Sequence, residues 1–290
     1  MFSYETVGLL PTAVWRGHSS KEIIKVTETK MQVAKKRSFG DFSEIAEFYP
    51  SFPPYSRRVL QTLLDQVKHV TESPIFGDIG AGTGLIAYAL ADMGLTGYAV
   101  EPESQMVAVG RRSGTNCPAV SWINAPGECT GLVEASLDWV CYCMSFHLMS
   151  ASEALRESMR ILRPRGFFTI ATYFSDLETD PFQLEVENRI RDIAPALRRA
   201  FTPLVGQMTT YEALLNQYPG LRNCISIAAT ESVPMSEERY VNYWAGRHDI
   251  PSQVSPEVWN SVLQMIAETF RKWQPATLRF RSVAWHAQRE

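Results

Sequence analysis

Two rhythms of apolar residues alternate through the middle of this chain, one helical and one extended. Over residues 56–70, Val59, Leu60, Leu63, Leu64, Val67 and Val70 recur at helical spacing, which predicts an amphipathic helix packed on a sheet. The apolar run Pro74–Ile79 predicts a first strand, and Leu85–Met93 a helix stopped by Gly94. A second strand is expected over Thr96–Val100, a short helix around Gln105–Val109, and a third strand over Ala119–Ile123. Leu137–Met144 is continuously apolar apart from Asp138, the pattern of a strand buried on both faces of a parallel sheet. A helix from near Ser150 to Leu162 ends at Arg163-Pro164-Arg165-Gly166, and Phe167–Tyr173 predicts the fifth strand.

Beyond Phe174 the rhythm changes. Residues 174–222 and 236–276 carry helical patterns rich in aromatics, among them Tyr240, Tyr243 and Trp244. Between them Cys224–Ser232 alternates weakly as a sixth strand. Leu278–Ala287 alternates clearly, with Leu278, Phe280, Ser282 and Ala284 on one face and Arg279, Arg281, Val283 and Trp285 on the other. Residues 1–18 show no periodicity. Ser19-Ser20-Lys21-Glu22 has the form of a capping box, opening a helix that closes on Lys35-Lys36-Arg37. The expected organisation is therefore an N-terminal arm and helix over 1–40 and a core over 41–173. Strands near 224–232 and 278–287 complete that core, and helices over 174–222 and 236–276 cap the carboxyl ends of its strands, where open α/β sheets bind ligands.

The first strand leads into the chemistry. Asp78-Ile79-Gly80-Ala81-Gly82-Thr83-Gly84 sets three glycines at alternate positions behind an acidic residue, suited to a backbone that passes close to a ligand. A dinucleotide fingerprint needs its last glycine where Leu85 stands, and no Lys follows to make a Walker phosphate loop. Glu101, at the carboxyl end of the second strand, is placed to accept hydrogen bonds from ribose hydroxyls.

With Val100-Glu101-Pro102, the glycine turn resembles the first two motifs of class I S-adenosylmethionine-dependent methyltransferases. The resemblance implies a Rossmann-like seven-stranded, mostly parallel sheet whose last strand inserts antiparallel beside the fifth. It also implies S-adenosyl-L-methionine as cofactor, leaving as S-adenosyl-L-homocysteine, and a cofactor site of Asp78, Gly80, Ala81, Gly82, Glu101, Met106, Gly127, Glu128 and Ser145. The motifs are most similar to a small-molecule subgroup akin to trans-aconitate methyltransferases. Phe52-Pro53-Pro54-Tyr55 follows that subgroup's entry segment, with Phe52 where the subgroup has Arg; Arg57 or Arg58 is the substitute at hand. Asn124-Ala125-Pro126-Gly127-Glu128 and Ser136-Leu137-Asp138 follow its adenine loop, with Pro126 at the usual Asp. Adenine recognition then falls to backbone groups of Gly127 and Glu128, with Met106 flanking the base. Ser145-Phe146-His147-Leu148 resembles the subgroup's Phe-His-Trp-Phe.

Methyl transfer from a sulfonium is largely a matter of placing a nucleophile in line, and a base is needed only where the nucleophile must lose a proton. His147, at the end of the fourth strand, is the first candidate for base or substrate ligand, with Tyr55, Tyr173 and Tyr243 as rivals. Tyr49, Phe52, Tyr240, Tyr243 and Trp244 are expected to line a partly apolar substrate pocket.

Composition narrows the function class. A net charge of −3 supplies no global basic field, which argues against a nucleic-acid partner. Five cysteines without a paired framework fit reduced thiols and a cytoplasmic protein, and Cys141-x-Cys143 lacks the further ligands of a metal site. No segment reaches the ~20 apolar residues of a membrane span. The expected activity is methylation of a small metabolite or natural product, as in secondary metabolism. A cofactor-binding subunit without transfer chemistry and an RNA or protein methyltransferase are the alternatives. The apolar face of the N-terminal helix needs a partner, either the active site or a second copy in a homo-oligomer.

Overall fold

The computed structural model describes residues 42, 44–114, 117–198 and 204–290, with backbone alone for 204–209. The expected N-terminal helix, and with it the expected route to a homo-oligomer, lies outside the described residues.

A 3₁₀ turn over Ala46–Ser51 leads into α1 (Arg57–Val70), β1 (Ile75–Ile79), α2 (Leu85–Asp92), β2 (Thr96–Val100), α3 (Ser104–Ser113) and β3 (Val120–Ile123). The chain continues through β4 (Leu137–Cys143), a 3₁₀ turn over Phe146–Leu148, α4 (Ala151–Ile161), β5 (Leu162–Ser175) and α5 (Pro181–Ile193). It ends with α6 (Leu204–Gln217), β6 (Leu221–Pro234), α7 (Glu237–Ala245), α8 (Pro256–Trp273) and β7 (Thr277–Arg289). The sheet order is β3-β2-β1-β4-β5-β7-β6. β1 to β5 pair in parallel, and β7 lies antiparallel between β5 and β6, as the resemblance implied.

Helix boundaries have local causes. The Ser56 hydroxyl accepts the Val59 amide to cap α1, and Val59, Leu60, Leu63, Leu64 and Val67 bury one stripe against the sheet. At ~1.5–3 kcal/mol per buried aliphatic side chain, that stripe contributes on the order of 10 kcal/mol before chain entropy is counted. Asp180, Ser236 and Ser255 cap α5, α7 and α8 in the same way.

β5 begins earlier than the sequence pattern predicts. Leu162 pairs with Leu137 before a register shift resumes the ladder at Trp139 and Phe167, so Arg163–Gly166 bulges out of the sheet. The bulge brings Arg163 Nη1 to 2.6 Å from Asp138 Oδ2, which also accepts the Ile75 amide at 2.9 Å. This explains the single charge in an otherwise apolar strand: Asp138 sits at the strand entrance, paired and hydrogen-bonded.

The two sheet faces carry different helices. Trp139 and Cys141 of β4, with Leu278, Phe280 and Ala284 of β7, share one core with α1, α2, α5, α7 and α8. Val140 and Tyr142, with Val283 and Trp285, share the other with α4 and α6. The helices after β5 therefore divide: α5, α7 and α8 pack together, whereas Leu215 of α6 packs with Trp285 on the opposite face. The expected cap over 174–222 is corrected to this extent, because the apolar side of α6 is needed to cover β6 and β7.

Candidate active site

A cavity of about 890 Å³ opens at the carboxyl ends of the parallel strands. The β1–α2 turn forms one wall. Gly80, Gly82 and Gly84 take φ of 68°, 58° and 82°, left-handed values that carry a steric penalty for other residues. At Gly80 a Cβ would also lie 2.5 Å from the Cβ of Ser145, whose hydroxyl donates to the Ile79 carbonyl at 2.6 Å. The amides of Gly80 and Ala81 both donate to the Val100 carbonyl, tying the turn to the end of β2.

Two carboxylates bracket the turn. Buried Asp78 accepts the Ala87 amide on Oδ2 at 3.1 Å, and its Oδ1 has no hydrogen-bond partner among the described residues. Burial pushes its pKa up to about 7; the Ala87 amide opposes that rise and nearby Glu101 adds to it. Glu101 accepts the Gly82 amide at 2.8 Å and the Glu103 amide at 2.9 Å. Burial raises its pKa too, and these two amides hold it back. Met106, Gly127, Glu128 and Ser145 line the same side.

Aromatic rings form the facing wall. Tyr49 stacks on Phe52 at 4.6 Å, and Phe52 meets Tyr243 edge-on at 5.1 Å. Tyr55 and Tyr173 cross at 5.0 Å and 88°. The Tyr55 hydroxyl is buried without a hydrogen-bond partner among the described residues, and burial holds the Tyr55 and Tyr173 phenols well above their ordinary pKa. His147, on the 3₁₀ turn after β4, reaches the cavity from its exposed rim. The residue keeps solvent exposure, and partial burial with the neighbouring His248 lowers its pKa to about 4. His147 is therefore neutral and weakly basic near pH 7.

The cavity thus brings together all the sequence-predicted cofactor residues, the four candidate catalytic residues His147, Tyr55, Tyr173 and Tyr243, and also Tyr49 and Phe52. It does not bring in Tyr240 or Trp244, which are 0% and 1% exposed. One turn apart on α7, they project to the same side. There Tyr240 packs on Phe182 and Phe270 of α5 and α8, leaving Tyr243 to face the cavity. Arg57 and Arg58 are not in its lining; Arg58 turns outward to Glu231 and the Thr230 carbonyl. Arg239 donates to the carbonyls of Ser51 and Phe52 at 3.1 Å each, and the guanidinium beside Tyr243 in the cavity is that of Arg247. It makes two bonds to Asp249 at 2.9 and 3.1 Å and one to the Tyr243 hydroxyl at 3.1 Å, and it lies over the Trp244 ring. Burial opposes its charge, but Asp249 and Tyr243 outweigh that cost. Gly246-Arg247-His248-Asp249, a charged run directly after an aromatic helix, was the available sequence signal. Asp176 and Glu187, also in the lining, had no local signal.

Among the described residues no group of three or more His, Cys, Asp or Glu is placed to hold a metal ion, and no helix is long and apolar enough to cross a membrane.

Comparison with known proteins bears on this geometry. Residues 77–170 match the family model described as a methyltransferase domain. An uncharacterized methyltransferase of Mycobacterium tuberculosis strain H37Rv is 33% identical over 89 residues, covering 31% of this chain and 35% of that protein. A demethylmenaquinone methyltransferase of Renibacterium salmoninarum is 29% identical over 145 residues, 49% of this chain and 58% of the relative. The matched part thus spans about a third to somewhat over half of these curated relatives. Among solved structures, one described as a type II methyltransferase from Anaeromyxobacter dehalogenans superposes with a TM-score of 0.57 at 21% identity, covering 82% of this chain and 97% of that one. The chain shares the methyltransferase fold and matches the methyltransferase domain over residues 77–170, which supports a methyltransferase enzyme.

Proposed function

We propose that the protein transfers a methyl group from S-adenosyl-L-methionine to a small, partly apolar organic molecule. The observation that carries this is one continuous cavity joining the glycine turn and its two carboxylates to an enclosed aromatic wall. The donor set fits the cofactor. Asp78 Oδ1 is a buried carboxylate oxygen with no described partner, suited to a cationic amino group. Glu101 keeps lone pairs for ribose hydroxyls after accepting two amides, and the left-handed glycines leave backbone open to close approach. Met106, Gly127 and Glu128 would border the adenine.

When bound, the cofactor supplies an electrophilic methyl group on a positively charged sulfur. The chain's own contribution is positioning and exclusion of water. The rings of Tyr55, Tyr173 and Tyr243 present faces that favour positive charge. His147, neutral near pH 7, serves as a substrate ligand better than as a base. The motif resemblance to trans-aconitate-type enzymes agrees with a small substrate, although Phe52 stands where their entry segment has Arg.

Calorimetry and thermal shift with S-adenosyl-L-homocysteine test the cofactor assignment, because a ligand of the folded state raises its stability. Methyl-labelled cofactor with small-molecule extracts tests the transfer. No shift and no heat with either cofactor form would overturn the proposal.

A further inference from the structure

Two phenols of the aromatic wall stand side by side. Tyr55 and Tyr173 are 8% and 7% exposed, both line the cavity, and their rings cross at 5.0 Å and 88°. The chain holds both in place. The Ser56 amide donates to Ser282 Oγ at 3.0 Å and the Ser56 hydroxyl to Glu231 Oε1 at 2.6 Å, which fixes the backbone next to Tyr55 against β7 and β6. Tyr173 sits in the β5 ladder opposite that same Ser282. Their hydroxyls, by contrast, are open. The Tyr55 hydroxyl is buried with no hydrogen-bond partner among the described residues, and the Tyr173 hydroxyl makes no hydrogen bond among them either. Tyr243 differs, because its hydroxyl accepts a bond from Arg247 at 3.1 Å. Buried hydroxyls are normally paired, so two neighbouring ones left open in a cavity point to a polar group on whatever occupies it.

Resting on the methyl-transfer function above, we propose that the acceptor carries an uncharged carbonyl on its apolar frame, and that the Tyr55 and Tyr173 hydroxyls both donate to its oxygen. A carbonyl oxygen has two lone pairs, so one atom can take both phenol protons. The rival classes match the pair less well. An ammonium offers only donors; it could use the phenol oxygens but would leave both O–H protons without an acceptor. A plain hydrocarbon would leave both hydroxyls unpaired beneath it, at the cost of burying unpaired polar groups. A carboxylate would bring a full negative charge beside Asp78, the carboxyl among the groups that act on Tyr55. The cations that act on Tyr173 are Arg247 and Arg239, and both are already held. Arg247 is bonded to Asp249 and to Tyr243, and Arg239 to the carbonyls of Ser51, Phe52 and Pro234. Desolvating a carboxylate there without a cation of its own is expensive, whereas a carbonyl dipole brings no net charge. Burial keeps both phenols protonated near neutral pH, and so keeps them donors.

The test uses the full chain saturated with S-adenosyl-L-homocysteine and probes of one shape: 1-indanone, indane, 1-aminoindane and indane-1-carboxylate. In calorimetric titrations the ketone is expected to bind about tenfold more tightly than indane and than either charged probe. Tyr55→Phe and Tyr173→Phe keep the rings and should each weaken the ketone severalfold toward indane, with the affinities for indane and for S-adenosyl-L-homocysteine unchanged. The infrared carbonyl stretch of bound 1-indanone should lie below its position in hexane and move back up in the double variant, a shift that altered packing alone does not produce. Indane, amine or carboxylate binding as tightly as the ketone, a ketone that does not bind, or a carbonyl stretch indifferent to both hydroxyls overturns the carbonyl assignment and leaves the methyl-transfer function standing. A fall in S-adenosyl-L-homocysteine affinity in Tyr55→Phe with ketone affinity intact gives that hydroxyl to the cofactor's carboxylate, and likewise overturns it. Failure of S-adenosyl-L-homocysteine itself to bind overturns both.

Discussion

Asp78 should couple cofactor binding to pH, and the size of the coupling follows from its surroundings. In the ligand-free fold its buried carboxyl has a pKa of about 7, with one oxygen held by the Ala87 amide and the other without a described partner. A cationic group placed against Oδ1 favours the ionised form and returns the pKa toward its ordinary value of about 4. Binding then requires the carboxylate, which is about nine-tenths formed at pH 8 and about one-tenth at pH 6. Affinity for S-adenosyl-L-homocysteine should therefore fall about tenfold from pH 8 to pH 6, equivalent to ~1.4 kcal/mol. About half a proton should be released per complex at pH 7. Calorimetry in two buffers of different ionisation enthalpy measures both quantities. Asp78→Asn keeps an acceptor for the Ala87 amide and removes the titration, so its affinity should be lower and flat over this range. The raised pKa also means that the ligand-free fold binds more protons than the unfolded chain between about pH 4 and pH 7. Its stability therefore declines as pH rises through that window, by on the order of 4 kcal/mol in all, and ligand-free Asp78→Asn should gain stability at pH 8. A wild-type affinity that is flat from pH 6 to pH 8, or a variant with the wild-type slope, refutes the coupling.

Three further predictions rest on other residues. Gly80→Ala places a Cβ 2.5 Å from that of Ser145 at a φ of 68°, so it should cost roughly 2 kcal/mol or more in denaturant unfolding and weaken cofactor binding; an unchanged midpoint would contradict the geometry. Glu101→Ala leaves the Gly82 and Glu103 amides without their acceptor and removes the expected ribose contact. Its affinity for S-adenosyl-L-homocysteine should drop by about tenfold to a hundredfold while far-ultraviolet dichroism is retained, and unchanged affinity would displace the ribose site. His286 is buried, stacked on Phe167 and bonded through Nδ1 to Thr169 Oγ1 at 2.7 Å, and burial lowers its pKa to about 3. Because the unfolded imidazole takes up its proton near pH 6.5, stability attributable to this residue is lost as pH falls from about 6.5 toward 3. Relative to His286→Asn, the wild type should lose about 2 kcal/mol between pH 8 and pH 5; parallel stability curves for the two proteins would refute the assignment.

What could be read from the sequence and what could not divides along the range of the interactions involved. The glycine turn, the apolar stripe of α1 and the continuous apolar run of β4 are local: each follows from dihedral preference or from a repeat within a few residues, so they stand in the sequence as written. Asp78 and Glu101 were legible for the same reason, since each ends a strand whose partner geometry is set by the parallel sheet. The ends of elements were less so. β5 begins at Leu162 because Arg163 folds back to Asp138, a pairing that no local pattern announces.

The acceptor wall is a tertiary product. Phe52 and Tyr243 lie far apart in the sequence and meet because α7 packs on the Ala46–Ser51 turn. Aromatic periodicity marked Tyr240, Tyr243 and Trp244 alike as pocket residues, since a helical pattern states which residues share a face and not what that face meets. Only the docking of α7 between α5, α8 and the cavity assigned Tyr243 to the cavity and the other two to the core. The sequence alone determined the left-handed glycine turn and the carboxylates beside it, because such a turn is a local property of the backbone. The charge and shape presented to the acceptor were decided by the tertiary structure, because they are sums over side chains that only the fold brings within reach of one another.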